Sequence, residues 1–132
     1  MEYTYKNYLT LEEFKKETGY DLTQRVEQGD LNSKEEAADN FMQDSFNELK
    51  RLVASKKGIY WTNNFLSDIL TDADSNPVIM QMKLGFIEAF KELVIYRFEA
   101  GDPDAVGDSN LPRYSEKFIE ALTIARILPR GI

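Results

Sequence analysis

The chain has 132 residues, a net charge of −7 at neutral pH, and neither Cys nor His. Without these two residue types, disulfide scaffolds, thiol nucleophiles, imidazole bases and Cys/His sites for zinc or haem are excluded. The surplus of acidic over basic residues argues against a general phosphate-binding surface, because phosphate contacts need excess positive charge. A chain of this length buries one hydrophobic core, so we expect a single domain.

Neither end of the chain, nor any internal stretch, suggests a membrane or export segment. The N-terminus lacks a basic region followed by an apolar run, and no stretch approaches about 18 consecutive apolar residues. We therefore expect a soluble protein that has no membrane partner and no export signal.

Local sequence signals predict helices along most of the chain. Capping boxes pair a hydroxyl side chain with a carboxylate three residues later, and a side-chain cap followed by Pro marks a helix start. In the first half of the chain we predict a short helix from Thr10 to Thr18 stopped by Gly19, a connection over residues 20–31 with at most one helical turn, and a long helix from Ser33 to Gly58. An aromatic knot at Ile59–Trp61 follows, and Thr62 then caps a short helix. In the second half we predict a helix from Asn76 to Ala100, a polar loop at 102–110, and a last helix from Ser115 that carries Leu128.

Apolar residues return at three- and four-residue steps in the three longest helical segments, which predicts that their apolar faces meet. The fold class is therefore an all-α, single-domain bundle of four to five helices with two long central helices. We assign residues 1–132 to this domain, with 1–9 as an N-terminal arm and 129–132 as a C-terminal tail. The predicted core includes Phe41, Leu49, Leu52, Phe86, Phe90, Leu93, Phe118 and Leu122.

Two acidic segments resemble calcium-binding loops, but neither completes the ligand set. Asp72–Asn76 has acidic or amide residues at the first, third and fifth positions, yet Pro77 stands where Gly is needed and Lys83 where Glu is needed. Residues 102–113 fail at the fifth and twelfth positions. We predict that no metal and no cofactor is bound.

No motif for catalysis is present, and we predict that the protein is not an enzyme. Most Asp and Glu residues fall on predicted solvent faces, helix starts or loops, and there is no Gly-rich phosphate loop or G-x-S-x-G elbow. The basic cluster Lys50, Arg51, Lys56 and Lys57 complements the dipole at the end of the long helix, an interpretation we favour over an anion site. We expect the lone Trp61 to belong to the core.

The segment from Met80 to Asp102, MQMKLGFIEAFKELVIYRFEAGD, resembles the most recognisable helix of the small head-to-tail adaptor proteins of long-tailed bacteriophages. In that family a long apolar helix ends in an aromatic-x-x-Arg-Glu-like polar exit, here Val94 to Glu99. The opening YLTLEEFKKETGYDL, the long helix from Ser33 and the late segment YSEKFIEALTIARILPRGI follow the family's order. The resemblance covers nearly the whole chain.

This resemblance implies a structural virion protein that has no catalytic activity. Its subunits would form a dodecameric ring beneath the portal protein, extend the DNA channel, and offer a platform to a stopper or tail-completion protein. DNA would pass through the ring without sequence-specific binding, and the isolated chain can be a monomer. The resemblance places the protein at the head–tail interface of the virion, and in the host cytoplasm during assembly.

We expect partner contacts at the two ends of the chain, because these ends contribute least to the predicted core. The N-terminal tyrosines form either a contact arm or a tail that lies on the core, and the C-terminal stub combines charge with apolar anchors. A frayed terminus with no role is the alternative for the stub. The candidate interface residues are Tyr3, Tyr5, Tyr8, Arg126, Ile127, Leu128, Arg130 and Ile132.

Two other classes of protein stay open. A DNA-mimic inhibitor would carry carboxylates at phosphate-like intervals on one helical face, whereas the helix from Ser33 mixes Glu48 with Lys50 and Arg51. The second class is a small acidic helical regulatory bundle that binds a partner.

Overall fold

The computed structural model describes residues 3–25, 34–100 and 115–129. Within these ranges the chain forms five α-helices and two short 3-10 turns, and it forms no strand. The predicted all-α bundle with two long helices is confirmed. The helices are α1 (Leu11–Thr18), α2 (Lys34–Lys57), α3 (Ile59–Thr71), α4 (Pro77–Ala100) and α5 (Glu116–Ile124), and the 3-10 turns are Tyr5–Asn7 and Leu22–Arg25.

Helix α1 begins and ends as its local sequence predicts. The Thr10 hydroxyl accepts from the Glu13 backbone N–H at 3.1 Å, and the Glu13 carboxylate accepts from the Thr10 N–H at 2.9 Å. The bond from the Thr10 backbone N–H is the main cause that lowers the pKa of the Glu13 carboxyl, and the nearby Thr10 hydroxyl adds to it. At the other end, Gly19 takes a left-handed conformation with φ of 81°, which suits a residue without Cβ.

The predicted starts of α4 and α5 are also confirmed. The Asn76 side chain accepts from the backbone N–H groups of Val78 and Ile79 at 3.0 and 3.3 Å, ahead of the first helical residue Pro77. The Ser115 hydroxyl accepts from the Phe118 N–H at 3.2 Å. The predicted cap at Ser33 and the loop at 102–110 lie outside the described residues.

Helix α3 starts four residues earlier than predicted, because Gly58 and not Thr62 is its cap. It begins at Ile59, directly after Gly58, whose φ of 91° turns the chain sharply between α2 and α3. Thr62 therefore lies inside the first turn, where its hydroxyl donates to the Gly58 carbonyl at 2.8 Å. The predicted aromatic knot is wrong, because Gly58 lets the next helix begin at once.

Helix α5 ends at Ile124, earlier than the predicted helix through Leu128. Arg126 adopts φ of 64°, and the Ile127 N–H donates to the Leu122 carbonyl at 2.9 Å. This bond and the one from the Arg126 N–H to the Thr123 carbonyl form a Schellman motif. The chain reversal brings Ile127 back onto the core, where only 2% of it stays exposed.

The core lies where α2, α3 and α4 meet. The Phe46 ring of α2 packs edge-on against Phe86 and Phe90 of α4, with centroids 6.2 and 5.7 Å apart. Farther along α4, Phe98 lies against Phe41 near the start of α2, so the two long helices run in opposite directions. Seven of the eight predicted core residues are buried: Leu49, Leu52, Phe86, Phe90, Leu93, Phe118 and Leu122.

Phe41 is the exception among the predicted core residues, because it is only partly buried. Its ring packs against Phe98 and against the guanidinium of Arg97, which lies 5.2 Å from the ring centre. Phe41 is thus at the edge of the core, where an aromatic face can contact a cation.

Helix α5 lies directly on α4 at Gly85. A Cβ at this position would stand 2.7 Å from the Ala125 nitrogen and 2.8 Å from the Ala121 oxygen, both backbone atoms. Only a residue without a side chain permits this helix–helix distance.

Helix α1 is joined to α4 by an ion pair whose lysine is buried and whose carboxylates are about half exposed. Lys91 is 9% exposed, and its ammonium contacts the carboxylates of Glu17, at 3.1 Å, and of Glu88. Burial acts to lower the pKa of Lys91, but the hydrogen bonds that its ammonium donates to Glu88 and Glu17, together with the charges of these carboxylates, outweigh burial and raise the pKa. Lys91 is therefore held in its charged form.

Candidate interaction surfaces

The N-terminal segment, residues 3–9, belongs to the core. Tyr5 and Tyr8 are 1% and 6% exposed, and the Tyr8 ring stacks on Phe46 with centroids 5.5 Å apart. Of the two alternatives for these tyrosines, a contact arm or a tail that lies on the core, the second is correct for Tyr5 and Tyr8. Tyr3 is half-buried and meets Tyr8 edge-on.

Both buried tyrosines find acceptors for their hydroxyls, which explains how polar rings can enter the core. The Tyr8 hydroxyl donates to the Leu66 carbonyl at 2.9 Å, and the Tyr5 hydroxyl donates to the Asp39 carboxylate. Burial is the main cause that raises the pKa of both phenols, and for Tyr5 the bond to Asp39 adds to it. In return the Tyr5 bond, helped by Lys6 at 3.3 Å, lowers the pKa of Asp39.

The C-terminal candidates are divided between core and surface. Ile127 is buried, so its expected role as an exposed anchor is wrong, and Leu128 is half-buried. Arg126 is exposed. Arg130 and Ile132 lie outside the described residues.

The exposed large apolar side chains of the described residues lie mainly near the two ends of α3. Ile59 and Tyr60, in its first turn, are 71% and 83% exposed. At its other end, Val78 in the first turn of α4 is 46% exposed, as is Ile124 at the end of α5. Leu84, on the outer face of α4, is also exposed. No sequence pattern predicts that these side chains are exposed, and for Ile59 and Tyr60 the sequence predicts an aromatic knot instead.

Charge divides the same region into two parts. Residues 49–67 carry four basic and no acidic side chains, whereas residues 68–82 carry three aspartates and no basic side chain. We call Lys56, Lys57, Ile59 and Tyr60 the corner surface. We call Asp68, Asp72, Asp74, Val78 and Ile124 the turn surface, and every residue of both surfaces is exposed.

The two surfaces are separated by the length of α3. This helix has 13 residues, which at about 1.5 Å per residue spans about 20 Å. A protein with a net charge of −7 thus has a locally positive apolar corner and a negative apolar surface at opposite ends of one helix.

Side-chain contacts hold the inner part of the corner in place. Trp61 is half-buried and stacks on Phe65 with centroids 5.0 Å apart, and it packs against the core as predicted. The Lys57 ammonium lies 4.8 Å from the Trp61 ring centre. Lys56 and Lys57 form the basic last turn of α2, in agreement with the helix-dipole interpretation.

A groove of about 890 Å³ runs between α2 and α3 and reaches the corner at Ile59. Its wall includes Arg97 of α4, which is 3% exposed and donates to the Ser45 hydroxyl at 2.8 Å. The groove also contains charges of both signs, among them the ion pair of Glu48 with Arg51. Arg97 joins α4 to α2, a role that its position in the sequence did not reveal.

In residues 3–25, 34–100 and 115–129, no three carboxylates come together in a group that could hold a metal ion. Among the helices of these ranges, none has the length and apolar character needed to cross a bilayer. No protein family, curated protein or solved structure matches this chain.

Proposed function

We propose that this protein is a structural virion protein, a head-to-tail adaptor. In this proposal its copies form a ring beneath the portal protein, extend the DNA channel, and carry the stopper or tail-completion protein. The proposal starts from the order of the helices and from the Met80–Asp102 segment, a long apolar helix with a polar end, because both resemble those of the adaptors.

The observation that carries the proposal is the pair of exposed apolar surfaces at the two ends of α3. Exposed aromatic and aliphatic side chains flanked by charge are typical of protein–protein contacts. Ile59 and Tyr60 are far more exposed than the aromatic residues that fill the core. Two such surfaces on one small domain suit a protein that must touch more than one neighbour.

The structure leads us to propose the assembly contacts at these two surfaces instead of at the two ends of the chain. Since Tyr5, Tyr8 and Ile127 stabilise the fold, we place the assembly contacts at the corner and turn surfaces. Arg126 stays a candidate, because it is exposed and lies beside Val78 and Ile124 around a small cleft.

Charge also supports the adaptor over a DNA-mimic inhibitor. A mimic needs a continuous acidic face, and the positive stretch 49–67 interrupts such a face along α2 and α3. A net charge of −7 suits a channel through which DNA slides, because like charges disfavour contact with the phosphate backbone. A regulatory bundle would use the same surfaces, so the experiment must involve phage heads.

The test uses DNA-filled, portal-bearing heads that lack their own adaptor, from the phage that encodes this chain. We expect the purified protein to co-sediment with these heads and to restore tail attachment, scored by electron microscopy. The double variant Ile59→Ser, Tyr60→Ser should fail, while Glu12→Ser, an exposed change on α1 outside both surfaces, should behave as wild type. Heads that acquire tails equally well without the protein would contradict the proposal.

The expected docking role of the last four residues stays a prediction. Deletion of Pro129 to Ile132 should leave helicity and thermal unfolding nearly unchanged, while attachment to heads is lost. If the truncated protein joins heads and supports tail attachment like the full chain, docking does not need the C-terminal tail.

A further inference from the structure

We infer that the corner surface of one copy docks on the turn surface of a second copy, in a head-to-tail contact between identical chains. The inference rests on the proposed function, in that it names the neighbour that these surfaces bind. Its basis is the exposure, the charge and the separation of the two surfaces in one chain.

The corner surface has the composition of a binding anchor. Tyr60 is 83% exposed in the first turn of α3, next to Ile59 at 71%. Aromatic side chains at the centre of a contact contribute much of its binding energy once a pocket removes them from water. Lys56 and Lys57 flank this pair, so the partner must combine an apolar pocket with negative charge.

The turn surface offers both features. Val78 and Ile124 line a cleft of about 260 Å³ together with Gln81 and Arg126. Asp72 and Asp74 are exposed just before α4 and supply the negative charge. An aromatic ring from a second copy that enters this cleft would also meet the guanidinium of Arg126, a favourable cation–π partner.

The separation of the two surfaces sets the kind of contact. Because they lie at opposite ends of α3, about 20 Å apart, one copy cannot join its own surfaces. A symmetric dimer of corner with corner, or of turn with turn, would place like charges against each other. A contact of corner with turn leaves one surface of each kind free, and such contacts build rings or open chains.

Nucleic acid is the other anionic partner to consider for the corner. The net charge of −7 opposes approach to a phosphate backbone, and an exposed Ile59 gains nothing from stacking on bases. The observations therefore favour an acidic protein surface as the partner of the corner. The turn surface of a second copy is such a surface, because it combines an apolar cleft with exposed aspartates.

Cross-linking tests the contact directly, because the natural chain has no Cys. Asn64→Cys places one thiol on α3 near Tyr60, and Ser75→Cys places one between Asp74 and Val78; both positions are exposed. With a short bis-maleimide, a mixture of the two variants should give cross-linked pairs that contain one copy of each. Neither variant alone should give comparable yield, and Asn64→Cys mixed with Glu12→Cys, an exposed position on α1, is the matched control.

Charge reversal completes the experiment. Lys56→Glu with Lys57→Glu in the Asn64→Cys chain should lower the yield about tenfold, since like charges would then face each other across the contact. Adding Asp72→Lys with Asp74→Lys to the Ser75→Cys chain should then restore it. Circular dichroism confirms that each exposed variant is folded.

Two results would overturn the inference. One is a mixed yield no higher than that of the Glu12→Cys control. The other is a shift of a short DNA duplex by the wild-type protein that the Lys56→Glu, Lys57→Glu variant loses, which would assign the corner to nucleic acid. The cross-linking uses the isolated protein, so a failed head-binding assay with a positive cross-link rejects the adaptor function and leaves the self-contact standing.

Discussion

Gly85 determines how closely α5 approaches α4. Gly85→Ala adds a Cβ within 2.8 Å of two backbone atoms, the Ala121 oxygen in α5 and the Ala125 nitrogen just after it, and backbone atoms cannot rotate away as a side chain would. Although Ala favours a helix by about 1 kcal/mol, we expect a net loss of about 1 to 3 kcal/mol in the free energy of unfolding. Urea unfolding measures this change in the free energy of unfolding.

The control is Asn63→Ala, on the exposed face of α3, which should stay within about 0.5 kcal/mol of wild type. An equal effect of the two substitutions would contradict the packing described for Gly85.

Arg126 is in the left-handed region, which a residue with a Cβ enters at a cost of about 1 to 2 kcal/mol. Gly avoids this cost but loses more chain entropy on folding, so Arg126→Gly should stabilise the protein by about 0.5 to 1 kcal/mol. Arg126→Ala keeps the backbone strain and should show no gain. If thermal unfolding shifts equally in both variants, the side chain and not the backbone is responsible.

Asp39 gives the stability a defined dependence on pH. Its pKa is lowered in the fold, mainly by the Tyr5 hydroxyl and also by Lys6. Its stabilisation is therefore present above its ordinary pKa of about 3.9 and is lost as the pH falls through the lower folded-state value. Asp39→Asn should be less stable than wild type at neutral pH, and the difference should shrink in acid.

The control for this pH dependence is Tyr5→Phe, which removes the hydrogen-bond donor. In the Asp39→Asn background it should change stability by the same amount at neutral and at acid pH. A difference between wild type and Asp39→Asn that stays constant from neutral pH to about pH 3 would show that the lowered pKa does not contribute.

At the scale of elements, the N-terminal segment behaves as part of the bundle. Tyr8 joins three helices, because its ring contacts Phe46 and Phe86 and its hydroxyl bonds to the Leu66 carbonyl. Tyr8→Ala should cost about 3 to 5 kcal/mol, like other buried aromatic truncations, whereas Tyr8→Phe should cost about 1 kcal/mol for the lost hydrogen bond. Chemical denaturation measures the free energy of unfolding of both variants. A loss below about 1 kcal/mol for Tyr8→Ala would indicate that the N-terminal segment is a free arm and does not stabilise the bundle.

Helix α3 and its flanking turns show how one element can serve both fold and assembly. Its inner face, with Phe65, Leu66 and Ile69, is buried. Its first turn exposes Ile59 and Tyr60. The helix begins directly after Gly58, at the outer corner between α2 and α3, so these two side chains do not reach the core. The same short helix therefore stabilises the monomer and carries the corner surface.

At the scale of the whole molecule, folding is expected to need no metal ion. Neither acidic segment completes a calcium ligand set, so thermal unfolding with calcium and with a chelator should coincide within about 1 to 2 °C. Magnesium at the same ionic strength controls for charge screening. A clear rise of the midpoint with calcium alone would show that Asp72–Asn76 or residues 102–113 bind it.

The sequence by itself determined where several helices begin and end, because those signals act within four residues. The cap at Thr10, the stop at Gly19 and the starts at Asn76 and Ser115 all need only their own neighbours. The apolar repeat also identified most of the core, since helix periodicity places such residues on one face.

Only the tertiary structure decided which polar or terminal residues join the core and which apolar ones stay outside. Tyr8 bonds to a carbonyl 58 positions away, and Ile127 reaches the core through a chain reversal after α5. The corner and turn surfaces likewise arise from how α3 sits between α2 and α4. Contacts between distant parts of the chain set these outcomes, and no local pattern carries that information.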